Sequence, residues 1–188
     1  MKRSIVLFAL LAAPGFAFAD DFNYTYLQIS YGNVDLDGVS VDGDGLGIDG
    51  SFGITENLNI VGGYQTADFD SLVDADEWFI GLGVHTPISE TLDVVGSVSY
   101  IDVEIDVLGF PVAADDGFGL SVGLRAAVTS KVEVDAGISY VDLSDSGDDT
   151  GFGAGVLYNF TEMFSVGLSG DWDDDVSIYS LSGRLYFN

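Results

Sequence analysis

The sequence predicts an all-β chain, an antiparallel up-and-down transmembrane β-barrel of ten strands, and three observations carry that reading. Apolar residues alternate with small or polar ones over long stretches. Short polar turns recur between those stretches. The apolar parity stays free of charge until it passes an aromatic residue, as the borders of a lipid-facing band require.

The N-terminus reads as a secretory signal over residues 1–19, with the barrel domain over 20–188. Lys2 and Arg3 form a positive n-region, Ile5 to Ala13 an apolar h-region, and Ala17-Phe18-Ala19 an A-x-A cleavage site. Removing that segment leaves three basic residues, Arg125, Lys131 and Arg184, against 31 acidic ones. Such a chain is repelled by nucleic acid. Yet it is 47% hydrophobic and 13% aromatic, which excludes a disordered acidic tail. With no cysteine, a disulfide framework or a Cys-based metal or redox site is impossible.

The alternation is clearest where Phe118, Leu120, Val122, Leu124 and Ala126 share one parity and Gly119, Ser121, Gly123 and Arg125 the other. A weak internal repeat punctuates it. Ile54-Thr55-Glu56-Asn57-Leu58 resembles Ile88-Ser89-Glu90-Thr91-Leu92, and Val128-Thr129-Ser130-Lys131-Val132 resembles Phe160-Thr161-Glu162-Met163-Phe164. Each marks a hairpin. The strands are expected near 24–34, 44–54, 58–67, 76–86, 91–104, 116–128, 131–143, 150–160, 163–172 and 177–187, with eight strands the alternative if one hairpin is misread. The remaining connections, Asp35–Asp44, Asp68–Asp76, Ile105–Asp116, Ser144–Thr150 and Asp173–Asp175, are longer and acidic. Short periplasmic turns and long extracellular loops are the pattern of outer-membrane barrels.

Aromatic residues fall where the apolar parity meets acid: Tyr64, Trp78, Tyr100, Phe118, Tyr140, Phe152, Trp172 and Tyr179 form the expected membrane-interface set. A second set (Tyr158, Phe160, Phe164, Tyr186, Phe187) is expected near the periplasmic end. Eight residues separate Val132 from Tyr140, and at about 3.3 Å per residue and 40° of tilt they rise roughly 20 Å, close to the apolar band of such barrels. A soluble sandwich has no need of charge-free bands with aromatic borders.

The signal segment, alternating strands, turn repeats and the end Leu181-Ser182-Gly183-Arg184-Leu185-Tyr186-Phe187-Asn188 make the chain resemble the OmpA/OmpX-type small outer-membrane barrels over its whole mature length. The resemblance implies a Gram-negative outer-membrane location and recognition of the last strand, through Phe187, by the barrel-assembly machinery. Phe187 is here followed by Asn188, a departure from the terminal Phe of that family. The expected member is the barrel domain alone, without the family's peptidoglycan-binding domain.

The inward parity is rich in Gly and Ser, which suggests a water-filled lumen. Arg125 and Asp135 lie equidistant from the turn at Ser130, so a lumenal ion pair is expected across that hairpin, with Arg184, Glu133, Asp93 and His85 at similar depth. These charges serve either as a gate or as a rigidifying network. The acidic loops, including Asp35-Leu36-Asp37-Gly38, Asp42-Gly43-Asp44 and Asp173-Asp174-Asp175, offer oxygen ligands suited to divalent cations but lack an EF-hand order, so no metal site is assigned. No cofactor is implied, and the single histidine, His85, is expected at the periplasmic end with Thr86 and Pro87 after it, away from any cluster of His with acidic or Ser partners near the outer rim or facing lipid, so no enzyme is read. The leading function is a monomeric structural or surface-interaction barrel in contact with lipid and lipopolysaccharide. The alternatives are a narrow cation-preferring porin-like channel and a secreted acidic Ca-binding β-sandwich.

Overall fold

A computed structural model describes residues 22–36, 42–69 and 73–187. Ten strands follow in order: β1 (Tyr26–Leu36), β2 (Asp42–Gly53), β3 (Leu58–Phe69), β4 (Val73–Ser89), β5 (Leu92–Val107), β6 (Phe110–Ala127), β7 (Val132–Leu143), β8 (Gly147–Asn159), β9 (Phe164–Trp172) and β10 (Val176–Tyr186). Each pairs with its sequence neighbours, and β1 pairs antiparallel with β10 from Tyr26↔Tyr186 to Leu36↔Val176, closing the barrel. Closure leaves no open edge, and in hydrocarbon an unpaired backbone group costs several kcal/mol. Ten strands, not eight, are present, and the closed single sheet excludes the two-sheet sandwich.

The alternation resolves into two surfaces. Ile29, Ile80, Phe118, Ile138 and Leu168 are each more than half exposed on the outer face. A continuous apolar exterior of this kind is a lipid-facing surface. Inside, the lumen is largely packed. One cluster holds Val34, Ala67, Phe69, Val176 and Ile178, and a second holds Val61, Phe79, Ile101, Val103, Val141 and Leu143. Side chains thus fill part of the expected Gly/Ser lumen, while a cavity lined by Gly and Ser remains on the side of β7–β10. Many inward glycines are sockets for larger side chains on adjacent strands. A Cβ at Gly63 would lie 2.7 Å from the Phe79 ring, and one at Gly83 2.5 Å from the Asn59 amide.

The repeated short turns share one device. The Thr55 hydroxyl accepts the N–H groups of Asn57 and Leu58, Thr129 those of Lys131 and Val132, and Thr161 those of Met163 and Phe164. Ser89 accepts from Thr91 in the fourth turn. A hydroxyl satisfying the turn N–H groups is why the repeat keeps Ser or Thr there.

The other end departs from the sequence expectation. Ile105–Asp116 is not a loop. β5 and β6 continue through it to a two-residue turn at Leu108 (φ 55°) and Gly109 (φ 76°). Both are left-handed, as a tight primed hairpin turn requires, but Leu is a poor advertisement for one. A register shift after Ile105 accommodates Pro111, which has no N–H to give. β4 likewise begins at Val73 and β8 at Gly147, so the connections there are shorter than expected. Tyr24, expected in the first strand, precedes it and is buried. The expected signal over 1–19, Asp37-Gly38 of the first acidic loop and Asn188 lie outside the described residues.

Candidate functional site

The expected interface aromatics form a girdle on the outer face towards the long-hairpin end. Tyr64 is in register with Trp78, Tyr100 with Phe118 and Phe152 with Trp172. Ring contacts connect Trp78–Tyr100 (5.5 Å), Tyr100–Phe118 (5.8 Å), Phe152–Trp172 (5.0 Å) and Trp172–Tyr179 (5.8 Å). Tyr140, in register with Leu120, faces the same way. Tyr31 on β1 belongs with them and was overlooked, although its parity was available. The hydroxyls turn towards acid: Tyr31 donates to Asp44 (2.8 Å) and Tyr64 to Asp76 (2.5 Å). At the short-turn end Tyr158, Phe160 and Phe164 form the second set. Tyr186 does not join them. It points into the lumen, edge-on to Tyr26 with ring centroids 6.4 Å apart.

Beyond the girdle lies a rim of carboxylates. Register pairing sets Asp44 opposite Asp68, Asp68 opposite Asp74, Asp102 opposite Asp116 and Asp142 opposite Asp148. Like charges directly opposed on neighbouring strands repel.

The lumen is sealed near the short-turn end. Arg125 and Asp135 are in register, as the hairpin arithmetic requires. The ion pair that forms, however, joins Arg125 Nη2 to Glu133 Oε2 at 3.3 Å, with both side chains wholly buried. Glu133 is the diagonal neighbour, within reach of a long side chain. Arg125 inclines towards it because the Phe22 and Tyr24 rings lie against its guanidinium, 4.1 and 4.6 Å from the carbon to the ring centroids. Asn159 donates to Glu133 Oε1 (2.5 Å) and accepts from the Ser165 hydroxyl. Asp93 takes the Tyr24 hydroxyl at 2.7 Å and lies 3.8 Å from His85 Nδ1. Arg184 sits over the Tyr26 ring at 4.2 Å and donates to Gln28, whose amide donates in turn to Asp49 (3.0 Å). Arg125, Glu133, Asp93, His85 and Arg184 lie in this layer, and Asp135, in register with Arg125, faces the cavity beside it. Phe22, Tyr24, Gln28 and Asp49 complete the layer. Tyr24 and Phe22 carry no period-two signal, because they precede β1.

Above this seal lies a cavity of about 330 Å³. Its wall includes Asp49, Asp135, Asp171 and Arg184, and it reaches exposed Asp148 at the start of β8 and Asp174 in the β9–β10 connection. Asp135 and Asp171 lie over the glycines of β8. A Cβ at Gly155 would lie 2.8 Å from an Asp135 oxygen, and one at Gly153 would collide with Asp171. At the mouth, partial burial pushes the Asp173 carboxyl above its ordinary range, with Asp149 and Asp175 adding to it, against the N–H donors of Asp175 and Val176. Asp49 and Asp171 share the inward parity of Arg125 and were readable from it; in the sequence they are lost among the abundance of acid.

Residues 4–160 match the family described as outer membrane protein beta-barrel domain, a match that ends just past β8. Among solved structures, an outer membrane channel from Pseudomonas putida F1 is similar in fold, with a TM-score of 0.56 and 11% identity, covering 87% of this chain and 95% of that one. Neisserial surface protein A aligns with a TM-score of 0.45 and 14% identity over 87% of this chain and 96% of its own. The KdgM porin, in complex with disordered oligogalacturonate, aligns with a TM-score of 0.49 and 11% identity over 86% and 99%. No curated protein matches the sequence.

Proposed function

Because this chain belongs to the outer membrane protein beta-barrel domain family, we propose that it is a non-conducting outer-membrane barrel with a structural and surface-interaction role, its short turns in the periplasm and its acidic hairpins outside. The observation that supports this is the seal. Arg125 and Glu133 have no exposed surface, and Tyr24, Asp93, Asn159, Arg184 and Tyr186 are all buried at the same end. A buried ion pair held among packed rings and hydrogen-bonded side chains rigidifies a lumen and opposes ion passage. Its partners in this reading are lipid and lipopolysaccharide at the girdle, with divalent cations bridging the carboxylate rim to lipopolysaccharide phosphates. The barrel-assembly machinery would read the last strand through Phe187, and residues 1–19 would be removed on export. The barrel acts as a monomer, and no catalytic role is assigned.

The test is single-channel recording of the refolded barrel in a planar bilayer. Proper insertion without discrete current is the expected result. Cation-selective steps would overturn it and favour the second reading, a narrow cation-preferring channel, for which the acidic wall at Asp49, Asp135 and Asp171 speaks.

A further inference from the structure

We propose that the lumen binds a linear organic polycation of the diamine or polyamine class, one ammonium group at Asp135 and Asp171 and another in a recess ending at Glu77. A second, smaller cavity of about 40 Å³ adjoins the first and shares Ser30, Gln65 and Ser180 with it. Glu77 lines this recess and is 3% exposed. Its Oε1 accepts from Gln65 at 2.8 Å, while its Oε2 is buried with no hydrogen-bond partner. A carboxylate enclosed by Val103, Ala75 and Ile178 with one oxygen unmatched calls for a compact donor. The recess has room for a water-sized group, which an ammonium is and a guanidinium is not.

The main cavity supplies the second anchor. The glycines of β8 leave space for the carboxylates of Asp135 and Asp171 to lie side by side, and Ser169, Ser180 and Ser182 line the way between the two anchors. A single metal ion does not fit this layout, since no three His, Cys, Asp or Glu side chains among the described residues come together closely enough to hold one. An elongated cation with an apolar methylene chain matches carboxylates set apart in two adjoining cavities. Its ends meet separated carboxylates, and its middle passes Ile178 and the hydroxyl-lined wall. Mouth residues Asp148, Asp174 and Asp175 would draw cations inward. The inference holds whether or not the barrel conducts.

The test is calorimetric titration of the refolded barrel with spermidine at constant ionic strength, beside Mg²⁺ and a monoamine. Expected is one saturable spermidine site, weakened about tenfold or more by Glu77→Gln and by Asp135→Asn with Asp171→Asn, the loss of a charge-assisted contact. The pair Asp102→Asn and Asp116→Asn on the outer rim should leave it unchanged. Equal loss in the rim variant, or equal binding of Mg²⁺, would overturn the proposal in favour of diffuse counterions. Should a lumen variant not refold, NMR on the unmodified barrel decides: cross-peaks from spermidine methylenes to Val103 and Ile178 methyls are expected, and their absence at saturation overturns it.

Discussion

Tyr24 and His85 stack face to face, ring centroids 3.5 Å apart and planes 19° from parallel, although one precedes β1 and the other lies deep in β4. Asp93 holds the Tyr24 hydroxyl, so the segment leading into β1 is fastened across the short-turn end of the barrel. Tyr24→Ala should lower unfolding stability by about 3 kcal/mol, the usual cost of deleting a buried aromatic ring. Urea unfolding in liposomes followed by tryptophan fluorescence measures this. An unchanged midpoint would mean that the segment rests in that end of the lumen without holding the barrel together.

Glu133→Gln removes the charge facing Arg125 while keeping Asn159 as a neighbour. An uncompensated buried guanidinium costs about 3–5 kcal/mol, so this single change should be severe. Adding Arg125→Met should restore much of the loss. Equal stability of the single and double variants in the same assay would show that the pair is not coupled.

Leu108 holds a left-handed backbone, at a cost of about 1–2 kcal/mol for an L-residue outside Gly, Asn and Asp. Leu108→Asn should therefore stabilise the β5–β6 hairpin by about 1 kcal/mol, with slower amide exchange at Val107 and Phe110 as the readout. Faster exchange would show that the leucine side chain makes contacts that outweigh the strain.

Asp115 ties two hairpins together by accepting the N–H groups of Asp145 and Ser146. Slight burial raises its carboxyl, but the hydrogen bonds from Ser146, Asp145 and Asp116 outweigh it and hold the group below its ordinary value. A depressed carboxylate contributes stability that is present above the unfolded value, about pH 4, and lost as pH falls through the folded one. Protection of the Asp145 and Ser146 amides, relative to the exchange of an unstructured chain at the same pH, should fall below about pH 4, and Asp115→Asn should lower it already at neutral pH. Exchange indifferent to both would remove Asp115 from the link.

The opposed rim carboxylates should respond to divalent cations. Each like-charged pair costs about 0.2–1 kcal/mol, so millimolar Ca²⁺ or Mg²⁺ should raise the thermal midpoint and a chelator reverse it. Asp102→Asn with Asp116→Asn should reduce that rise. A midpoint insensitive to chelator at low salt would exclude bridging by these ions.

Strand number and closure were legible because parity and turn position are arithmetic. What was not legible has physical causes. Arg125 selects Glu133 over Asp135 because side-chain reach and the Phe22 and Tyr24 rings decide between two carboxylates two residues apart. The glycines suggested empty space, yet Gly63 and Gly83 are recesses for Phe79 and Asn59, a complementarity invisible before strands are set side by side. The Leu108–Gly109 turn was hidden by its leucine, and with it the strand character of a stretch as acidic as a loop.

That hairpin has a practical consequence. Leu108, Phe110 and Val112 are exposed at its tip, and about eight residues of paired ribbon beyond Tyr100 carry the tip roughly 20 Å above the girdle. A short peptide spliced between Leu108 and Gly109 would ride on a mast, clear of the lipid-facing band, while the pairing below it continues undisturbed.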